Sequence, residues 1–393
     1  MNLNETAFFQ NPYPYYASMR KSDQPLWLPH AQESTSEGMW LFARYDDAVT
    51  LFRAGPAISK NISTIRRPGT GTPFDLHMLH RDAPDHPRLR RLVADRFSAQ
   101  NLKRFESEIF AIVDTLVERM KAKGGVDLVT DFAEQVPLRI IGHLMGIPQE
   151  DIPQIRQWSL VMVEGFDSVL ASAGDMQRQR DTGMAFLKYF SSLMEAKRRQ
   201  PGDDLLSEMN TAVDEGSISA EEALGMAGLL LVAGHETTVS LIGSGLLLLL
   251  NHPEQLDLVR KEPNLLAGAL EETLRFESPA QRATFRIVAE PYEMRGLRLE
   301  PGQQLGIIIG AANRDESQFD NAAQFDIRRT PNRHLAFGLG GHNCLGQMLA
   351  RLEGRIAISR LLEQCPALRL EGAAYWRKNS LFRSLHTLPA TVA

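Results

Sequence analysis

One cysteine of this chain lies where its sulfur could serve as a metal ligand. Cys344 belongs to the stretch FGLGGHNCLG, residues 337–346, and the segment after it, Gln347 to Gln364, carries apolar residues at helical spacing. The cysteine therefore falls at or just before a helix N-terminus, where the macrodipole and free backbone N–H groups favour a thiolate over a thiol. Binding to a metal removes the proton outright.

The glycines around this cysteine suit a flat ligand. Backbone that must approach a porphyrin face closely, with unusual dihedral angles, favours glycine, and the loop supplies Gly338, Gly340, Gly341 and Gly346. Phe337 can shield the sulfur side from water. A lone cysteine is more often an inert buried side chain, which is our expectation for Cys365. The glycine-rich setting predicts a haem thiolate ligand at Cys344.

This loop resembles the haem-binding signature of the cytochrome P-450 superfamily, in which haem iron is held by a cysteine thiolate. The matching positions are Phe337, Gly340, His342, Cys344 and Gly346. The resemblance extends from about Asn11 to Pro389. It implies haem b, iron protoporphyrin IX, as the cofactor and Cys344 as the metal ligand, with Phe337, His342 and Gly346 beside the haem.

A second motif interrupts the most apolar helix of the chain. The pattern from Ala220 to Leu250 predicts one long helix that begins with a capping box, Ser219 and Glu222. Its middle, AGHETT at residues 233–238, places an acid and hydroxyls among apolar turns, which is costly unless they line a polar site. This break predicts a functional groove.

The groove is similar to the family's oxygen-activation site, where the helix is locally distorted. The resemblance implies that Thr237 contacts the oxygen being activated and that Glu236 delivers protons, so these are the predicted catalytic residues. His235 should point away from the metal, because neighbouring helical side chains face different directions.

Charged residues elsewhere match other parts of the family pattern. Glu272, Arg275 and Arg329 resemble its buried structural cluster, which holds the cysteine side of the haem. The haem propionates need cations or hydrogen-bond donors, and the resemblance implies His86, Arg90, Arg286 and His342.

Substrate contacts are also expected from the resemblance. They are Leu229, Val232, Ala233, Arg282, Ala283, Thr284, Leu381 and Phe382, with the loop from Ala57 to Phe74. Most are apolar or small. Arg282, with Arg66 and Arg67, would add positive charge near the entrance and suits a carboxylate or another polar group on the substrate, unless these arginines face water.

Most of the remaining sequence reads as helix. Helices are predicted at Asp46–Ala54, Arg88–Phe97, Leu102–Lys123, Asp131–Met145, Met176–Arg199, Pro253–Lys261 and Leu265–Phe276. A strand is predicted at Met39–Tyr45 and a small antiparallel sheet between Phe285 and Ile309. The fold class is mainly α with a minor antiparallel β part. The resemblance implies the cytochrome P-450 fold, with haem between the long helix and the helix after the cysteine loop.

Composition limits the alternatives. Aliphatic and aromatic residues make up 43% of 393 residues, no linker or repeat divides them, and residues 1–393 are expected to form a single catalytic domain. A net charge of -5 argues against nucleic acid as a partner. The first residues lack a signal-peptide pattern, and the apolar run at Leu246–Leu250 is too short for a bilayer span. We expect a cytoplasmic monomer that does not bind membranes.

The predicted activity is a haem-dependent monooxygenase that inserts one atom of O2 into a small organic molecule, in secondary metabolism. No electron-carrying segment is evident, so a ferredoxin and a ferredoxin reductase are the expected partners. A patch containing Arg88, Arg91, Arg96, Arg104, Arg351 and Arg355 would steer an acidic ferredoxin. Two alternatives stay open: a peroxide-driven peroxygenase and a non-enzymatic haem-thiolate ligand sensor.

Overall fold

Helices make up most of the chain in the computed structural model, which describes residues 5–29, 38–61, 72–165 and 173–392. The helices are α1 (Thr6–Gln10), α2 (Tyr13–Lys21), α3 (Tyr45–Arg53), α4 (Asp85–Ala94), α5 (Ala99–Lys123), α6 (Gln135–Met145), α7 (Ile152–Gly165), α8 (Ala173–Arg199), α9 (Leu205–Asp214), α10 (Ala220–Asn251), α11 (Pro253–Lys261), α12 (Leu265–Phe276), α13 (Ile309–Ala312) and α14 (Gln347–Gln364).

The long periodic helices were predicted from the sequence and are confirmed, whereas α1, α2, α7, α9 and α13 were not predicted. Helix α9 is only 10 residues long, which leaves little periodic pattern to detect. The predicted helix from Asp131 begins only at Gln135, because Val129–Ala133 forms a separate π-type turn.

Short strands form four small sheets in the described part of the chain. The strands are β1 (Leu26–Pro29), β2 (Gly38–Phe42), β3 (Ile58–Ser59), β4 (Gly125–Asp127), β5 (Arg286–Val288), β6 (Tyr292–Met294), β7 (Leu297–Leu299), β8 (Gln304–Ile307), β9 (Arg369–Leu370), β10 (Tyr375–Trp376), β11 (Leu385–Thr387) and β12 (Pro389–Thr391). The largest sheet has the order β1-β2-β8-β5-β3.

The prediction of one antiparallel sheet between Phe285 and Ile309 is wrong in two respects. Strands β6 and β7 form a hairpin of their own, turned by Arg295 and Gly296 with φ values of 52° and 71°. Such a pair of positive φ values is the geometry that tight hairpins prefer. Strands β5 and β8 instead lie between β2 and β3 in the largest sheet, and β8 runs parallel to β2. Strand pairing with residues far away in sequence decided this outcome.

Helix α10 is the central element of the helical core. Its capping box is present as predicted, since Ser219 and Glu222 exchange side-chain and backbone bonds. Apolar on every side, it has the character of a core helix. It is also long and apolar enough to span a bilayer, yet 83% of its most apolar window is buried against other parts of the protein. It packs on α6, α9, α12 and α14.

A close approach to α10 fixes one wall of the site. The turn Pro73–Asp75 lies directly on the helix at Gly225, where a Cβ would collide with the Pro73 carbonyl oxygen. Glycine at this position therefore lets the segment from Thr72 to His80 lie against the N-terminal part of α10.

The predicted cluster of Glu272, Arg275 and Arg329 forms in the structure and is almost wholly buried. Arg275 Nε and Nη2 each lie 2.7 Å from a Glu272 carboxylate oxygen, and Arg329 Nε lies 3.2 Å from both. Arg275 also donates to the carbonyl oxygens of Asn313 and Ala322, each at 2.9 Å. These bonds hold α12 to the segment that leads into the Cys344 loop.

We expect Glu272→Gln to lower the free energy of unfolding by about 3–5 kcal/mol, because two buried guanidinium groups lose their counter-charge. Urea denaturation followed by circular dichroism measures the loss. The matched control is Glu300→Gln, which removes an exposed pair with Arg298 and should cost less than about 1 kcal/mol. Equal effects of the two substitutions would contradict a structural role for the cluster.

Candidate active site

The predicted haem-binding residues meet around one cavity. Helix α10 forms one wall through Ala233, Gly234, Thr237 and Thr238, and the loop with Cys344 and Gly346 forms the opposite wall. The start of α14 and the strand that begins at Arg286 close the sides. The structure therefore brings the two main motifs of the sequence together, although they are about a hundred residues apart.

Glycine geometry shapes the cysteine loop, though not at every position that we predicted. Gly338 and Gly340 have φ values of 65° and 74°, a region that other residues rarely adopt. A Cβ at Gly340 would lie 2.8 Å from the Phe52 carbonyl oxygen. Gly341 does not have a positive φ, and Gly346 has φ of -81° with open space beside it, so the conformational reason given for these two is wrong.

Cys344 is held three residues before α14, as predicted. Its backbone N–H donates to the Phe337 carbonyl oxygen at 2.8 Å. The ring of Phe337 lines the cavity beside it and carries the Arg351 guanidinium, 4.4 Å from the ring centroid. The loop, its aromatic residue and the first turns of α14 thus form one packed unit.

The prediction that the free thiolate is favoured at this position needs correction. Burial raises the pKa of the Cys344 thiol, although the Gly346 backbone N–H and the charges of Arg90 and Arg351 act in the opposite direction. The thiolate is stable here when a metal cation replaces the proton, which is the condition of a metal ligand.

The predicted propionate-binding residues lie at one edge of the cavity. His86 and His342 face each other with ring centroids 4.1 Å apart, and both line the cavity with Arg286. Burial lowers the pKa of Arg286 to about 10, and its Nε has no hydrogen-bond partner among the described residues. A buried guanidinium with an unmet donor fits an anionic group, so this edge suits the carboxylates of haem.

Arg90 lines the same cavity, but in this structure its guanidinium contacts Asn343. Its Nη1 donates to the Asn343 carbonyl oxygen at 2.9 Å, and its Nη2 donates to Asn343 Oδ1 at 3.0 Å. In this structure Arg90 therefore braces the residue next to Cys344. Its bond to a propionate stays a prediction.

Lys60 also lines the cavity. It was predicted only as part of the substrate loop from Ala57 to Phe74 and was not identified as a haem contact. It is buried directly after β3, 1% exposed. The sequence offers only a lysine after Ile58 and Ser59, which is too common a pattern to single out.

The groove on α10 forms without a break in the helix, contrary to the distortion that the resemblance implies. Residues 220–251 are continuous α-helix, and Thr237 Oγ1 donates to the Ala233 carbonyl oxygen at 2.9 Å. Gly234 allows close packing with α6, because a Cβ there would lie 3.3 Å from Ile141 Cδ1. Thr237 lines the cavity, whereas Glu236 is 2% exposed and does not.

His235 points away from the cavity, as expected. Its ring is wholly buried, and Nδ1 lies 3.2 Å from Ser159 Oγ on α7. Burial lowers its pKa to about 4. This histidine therefore belongs to the packing between α10 and α7.

A second, outer cavity of about 820 Å³ lies between α8, α10 and the segment from Thr72 to His80. It shares Leu229 and Thr284 with the haem cavity, so the two adjoin.

The predicted substrate residues divide between the two cavities. Val232, Arg282 and Leu381 line the outer cavity, and Ala233 and Ala283 line the inner one. Phe382 lines neither and instead forms an isolated bridge with Ala280. Arg66 and Arg67 fall outside the described residues.

Comparison with known proteins gives a consistent result. Residues 175–372 match the family model described as cytochrome P-450. The chain is 39% identical to cytochrome P-450 107B1 of Saccharopolyspora erythraea, over 98% of this chain and 96% of that protein. It is 40% identical to the cytochrome P-450 monooxygenase PikC of Streptomyces venezuelae, over 97% and 91%.

The fold is also that of solved relatives. The cytochrome P-450 PksS of the bacillaene polyketide synthase from Bacillus subtilis 168 superimposes with a TM-score of 0.90 at 34% identity, over the full length of both chains. The mainly helical fold with small sheets, predicted from the sequence, is confirmed.

An ion-pair hub at Glu271 makes the cysteine loop sensitive to acid. Its carboxylate accepts bonds from Arg351 at 2.6 and 3.0 Å and lies 3.0 Å from His334 Nε2. Burial alone would raise the pKa of Glu271, but the bonds from His334 and Arg351 outweigh burial and lower it to about 2. A lowered pKa stabilises the folded state above the ordinary pKa of 4.5, and this stabilisation is lost as pH falls towards 2.

We therefore expect Glu271→Gln to cost about 1–3 kcal/mol of unfolding free energy at pH 7, and the difference from the unsubstituted protein to shrink below about pH 4.5. Urea denaturation at a series of pH values measures it. Glu290→Gln, at an exposed position, is the control and should change little throughout. A difference independent of pH would contradict the assignment.

Proposed function

The chain belongs to the cytochrome P-450 family, a family of haem-thiolate monooxygenases, and we propose that it uses haem b to hydroxylate or epoxidise a small organic substrate. The observation that carries this proposal is the single cavity that has Cys344 on one wall and Thr237 on the other. A haem held through a thiolate supplies the cleavage of O2 and the transfer of one oxygen atom to the substrate. The second oxygen atom leaves as water, with two electrons from NAD(P)H and two protons.

The protein residues have separate roles in this proposal. Cys344 ligates iron, while Phe337 and Gly346 pack against the sulfur side. His86, Arg286, His342 and Arg90 would bind the propionates. The cluster of Glu272, Arg275 and Arg329 does not line the cavity. It holds the segment that leads into the Cys344 loop.

Thr237 is proposed to hold a proton donor next to the reacting oxygen. A hydroxyl has one donor and two acceptor sites, and its donor is spent on the Ala233 carbonyl oxygen. Oγ1 can thus accept a bond from a water in the cavity, or rotate and donate into it. Glu236 lies next in sequence and is buried, so proton delivery from its carboxylate requires a change of side-chain rotamer or a bridging water.

The substrate is proposed to enter through the outer cavity and to reach the haem between Leu229 and Thr284. The outer wall is largely apolar, and methionines such as Met39 and Met184 adapt to irregular shapes. Arg282 lies in this wall, 7% exposed, with Nη1 3.1 Å from Met39 Sδ. A bulky apolar secondary metabolite with a carboxylate or another polar group fits these features.

Electrons are proposed to come from a ferredoxin and its reductase, at a groove between α5, α12 and α14. The exposed Met348 lies in this groove with Lys103, Arg351 and Arg355. Four arginines of the predicted patch already form ion pairs within the protein: Arg88, Arg96, Arg351 and Arg355. Exposed Arg91, Lys103 and Arg104 therefore contribute most of the steering charge in this proposal.

We also propose a domain organisation, an oligomeric state and a cellular location for the protein. Residues 1–393 act as one catalytic domain, the protein is a monomer, and its location is cytoplasmic. The buried position of α10 in the core supports a protein that does not insert it into a membrane.

The oxygenase chemistry is tested with Thr237→Ala on a substrate found by spectral titration of the ferric protein. We expect product formation to fall on the order of 100-fold, with the electrons consumed appearing as hydrogen peroxide, because proton delivery is lost. Ser240→Ala is the control, since Ser240 lies one turn on and does not line the cavity.

A different outcome would favour a peroxygenase. Product formed faster from hydrogen peroxide than from the ferredoxin system, and unaffected by Thr237→Ala, would contradict the proposed oxygen chemistry. Failure of every redox partner to give product would favour a ligand sensor.

The electron-transfer site is tested with Lys103→Glu. We expect reduction by a ferredoxin to slow several-fold at low ionic strength and to approach the unsubstituted rate in high salt, because the steering field is screened. Stopped-flow absorbance measures the rate. Arg298→Glu, on the β6–β7 hairpin outside the groove, is the control. A rate independent of both salt and Lys103 would place the docking site elsewhere.

A further inference from the structure

Lys60 occupies a position that a lysine rarely takes in a folded protein. The side chain is 1% exposed and lines the haem cavity. Its Nζ donates to Thr284 Oγ1 at 2.6 Å and to the Phe285 carbonyl oxygen at 2.8 Å. An ammonium has three donors, so these neutral acceptors leave one bond to be made. The Phe285 ring, whose centroid lies 4.6 Å from Nζ, is a further neutral contact and supplies no counter-charge.

No carboxylate of the described residues lies within ion-pair distance of Lys60 Nζ. The nearest acid in charge interaction is Asp82, whose carboxylate is engaged by other groups. It accepts the Lys60 backbone N–H at 3.0 Å and a bond from Ser59 Oγ, and it lies 3.9 Å from His342 Nε2. Asp82 therefore anchors the end of β3 and leaves the ammonium without a contacting anion.

A second buried cation adds to the positive charge that lacks a contacting carboxylate at this edge. Arg286 is 6% exposed, lines the same edge of the cavity, and interacts repulsively with Lys60. Burial lowers the pKa of Lys60 well below its ordinary value, and Arg286 lowers it further. Keeping both groups charged beside one engaged carboxylate is costly, and negative charge entering the cavity would offset this cost.

We propose that Lys60 binds a haem propionate, as a cation additional to Arg286. This inference rests on the proposed cofactor, because haem b brings two carboxylates and the edge lined by Lys60 and Arg286 faces the space between α10 and the cysteine loop. The ammonium keeps its bonds to Thr284 and Phe285 and directs its third N–H to the carboxylate. Lys60 thereby also ties the propionate to Thr284, which borders the outer cavity.

A purely structural role is the competing explanation. The two bonds of Nζ could serve only to fix the segment that leads into β5, with the charge tolerated. The propionate-binding role requires the haem carboxylates, whereas the structural role does not. Varying the cofactor together with the residue therefore distinguishes the two roles.

The test measures the rate at which the purified holoprotein loses haem to an excess of apomyoglobin, followed by absorbance. We expect Lys60→Met to lose haem at least about tenfold faster than the unsubstituted protein, because a buried propionate loses its partner. Lys60→Arg keeps the charge and should stay within about threefold. Lys261→Met, at an exposed position, should not change the rate.

Reconstitution with haem dimethyl ester, which lacks free carboxylates, separates the two roles. We expect Lys60→Met and the unsubstituted protein to lose the ester at similar rates. A tenfold difference that persists with the ester would show a structural role and overturn the proposal. So would equal loss of native haem from both proteins. If Lys60→Met does not fold, Lys60→Gln takes its place, since it retains donors for Thr284 and Phe285 without the charge.

The same experiment separates this inference from the proposed function. Purified protein without any haem would remove the basis of both. Thiolate-ligated haem that Lys60→Met releases at the unsubstituted rate would remove only the assignment of Lys60.

Discussion

The proposed bond between the Cys344 sulfur and haem iron is the interaction on which the other features depend. The sulfur lies in a setting that raises its pKa, so the anion is stable only with a metal cation bound. Three sets of contacts hold the loop that carries this sulfur. Arg90 braces Asn343, the Arg351 guanidinium covers the Phe337 ring, and the Glu272 cluster holds the segment that enters the loop. The helical core thus positions the Cys344 sulfur, whose anionic form is stable when a metal cation is bound.

Two sets of cations in the protein differ in how their charge is met. One set is satisfied within the protein, and Arg275 and Arg351 are examples, each with a carboxylate at 2.7 Å or less. The other set lines one edge of the haem cavity, where Arg286 and Lys60 lack a contacting carboxylate among the described residues. Burial of charge without a partner is costly, so the second set indicates where an anionic cofactor belongs. Haem bound as proposed would therefore stabilise the folded protein by meeting this charge.

Sequence patterns predicted local motifs and helices better than they predicted the pairing of strands. Local patterns sufficed for the glycine loop, for the capping box at Ser219 and for most helices, because these depend on neighbours in sequence. They failed for the parallel pairing of β2 with β8, which joins residues more than 250 positions apart. They also failed for Lys60, whose importance comes from burial beside Arg286. For Arg90 the motif predicted the right cavity, but the nearby Asn343 side chain decided which atoms the guanidinium contacts.

The most direct test of the thiolate bond is the absorption spectrum of the reduced protein with carbon monoxide. Cys344 as the iron ligand predicts the long-wavelength Soret band of thiolate-ligated haem, lost in Cys344→Ser and kept in Cys365→Ser. A band at the shorter wavelength typical of histidine-ligated globins, or a purified protein that binds no porphyrin, would contradict it.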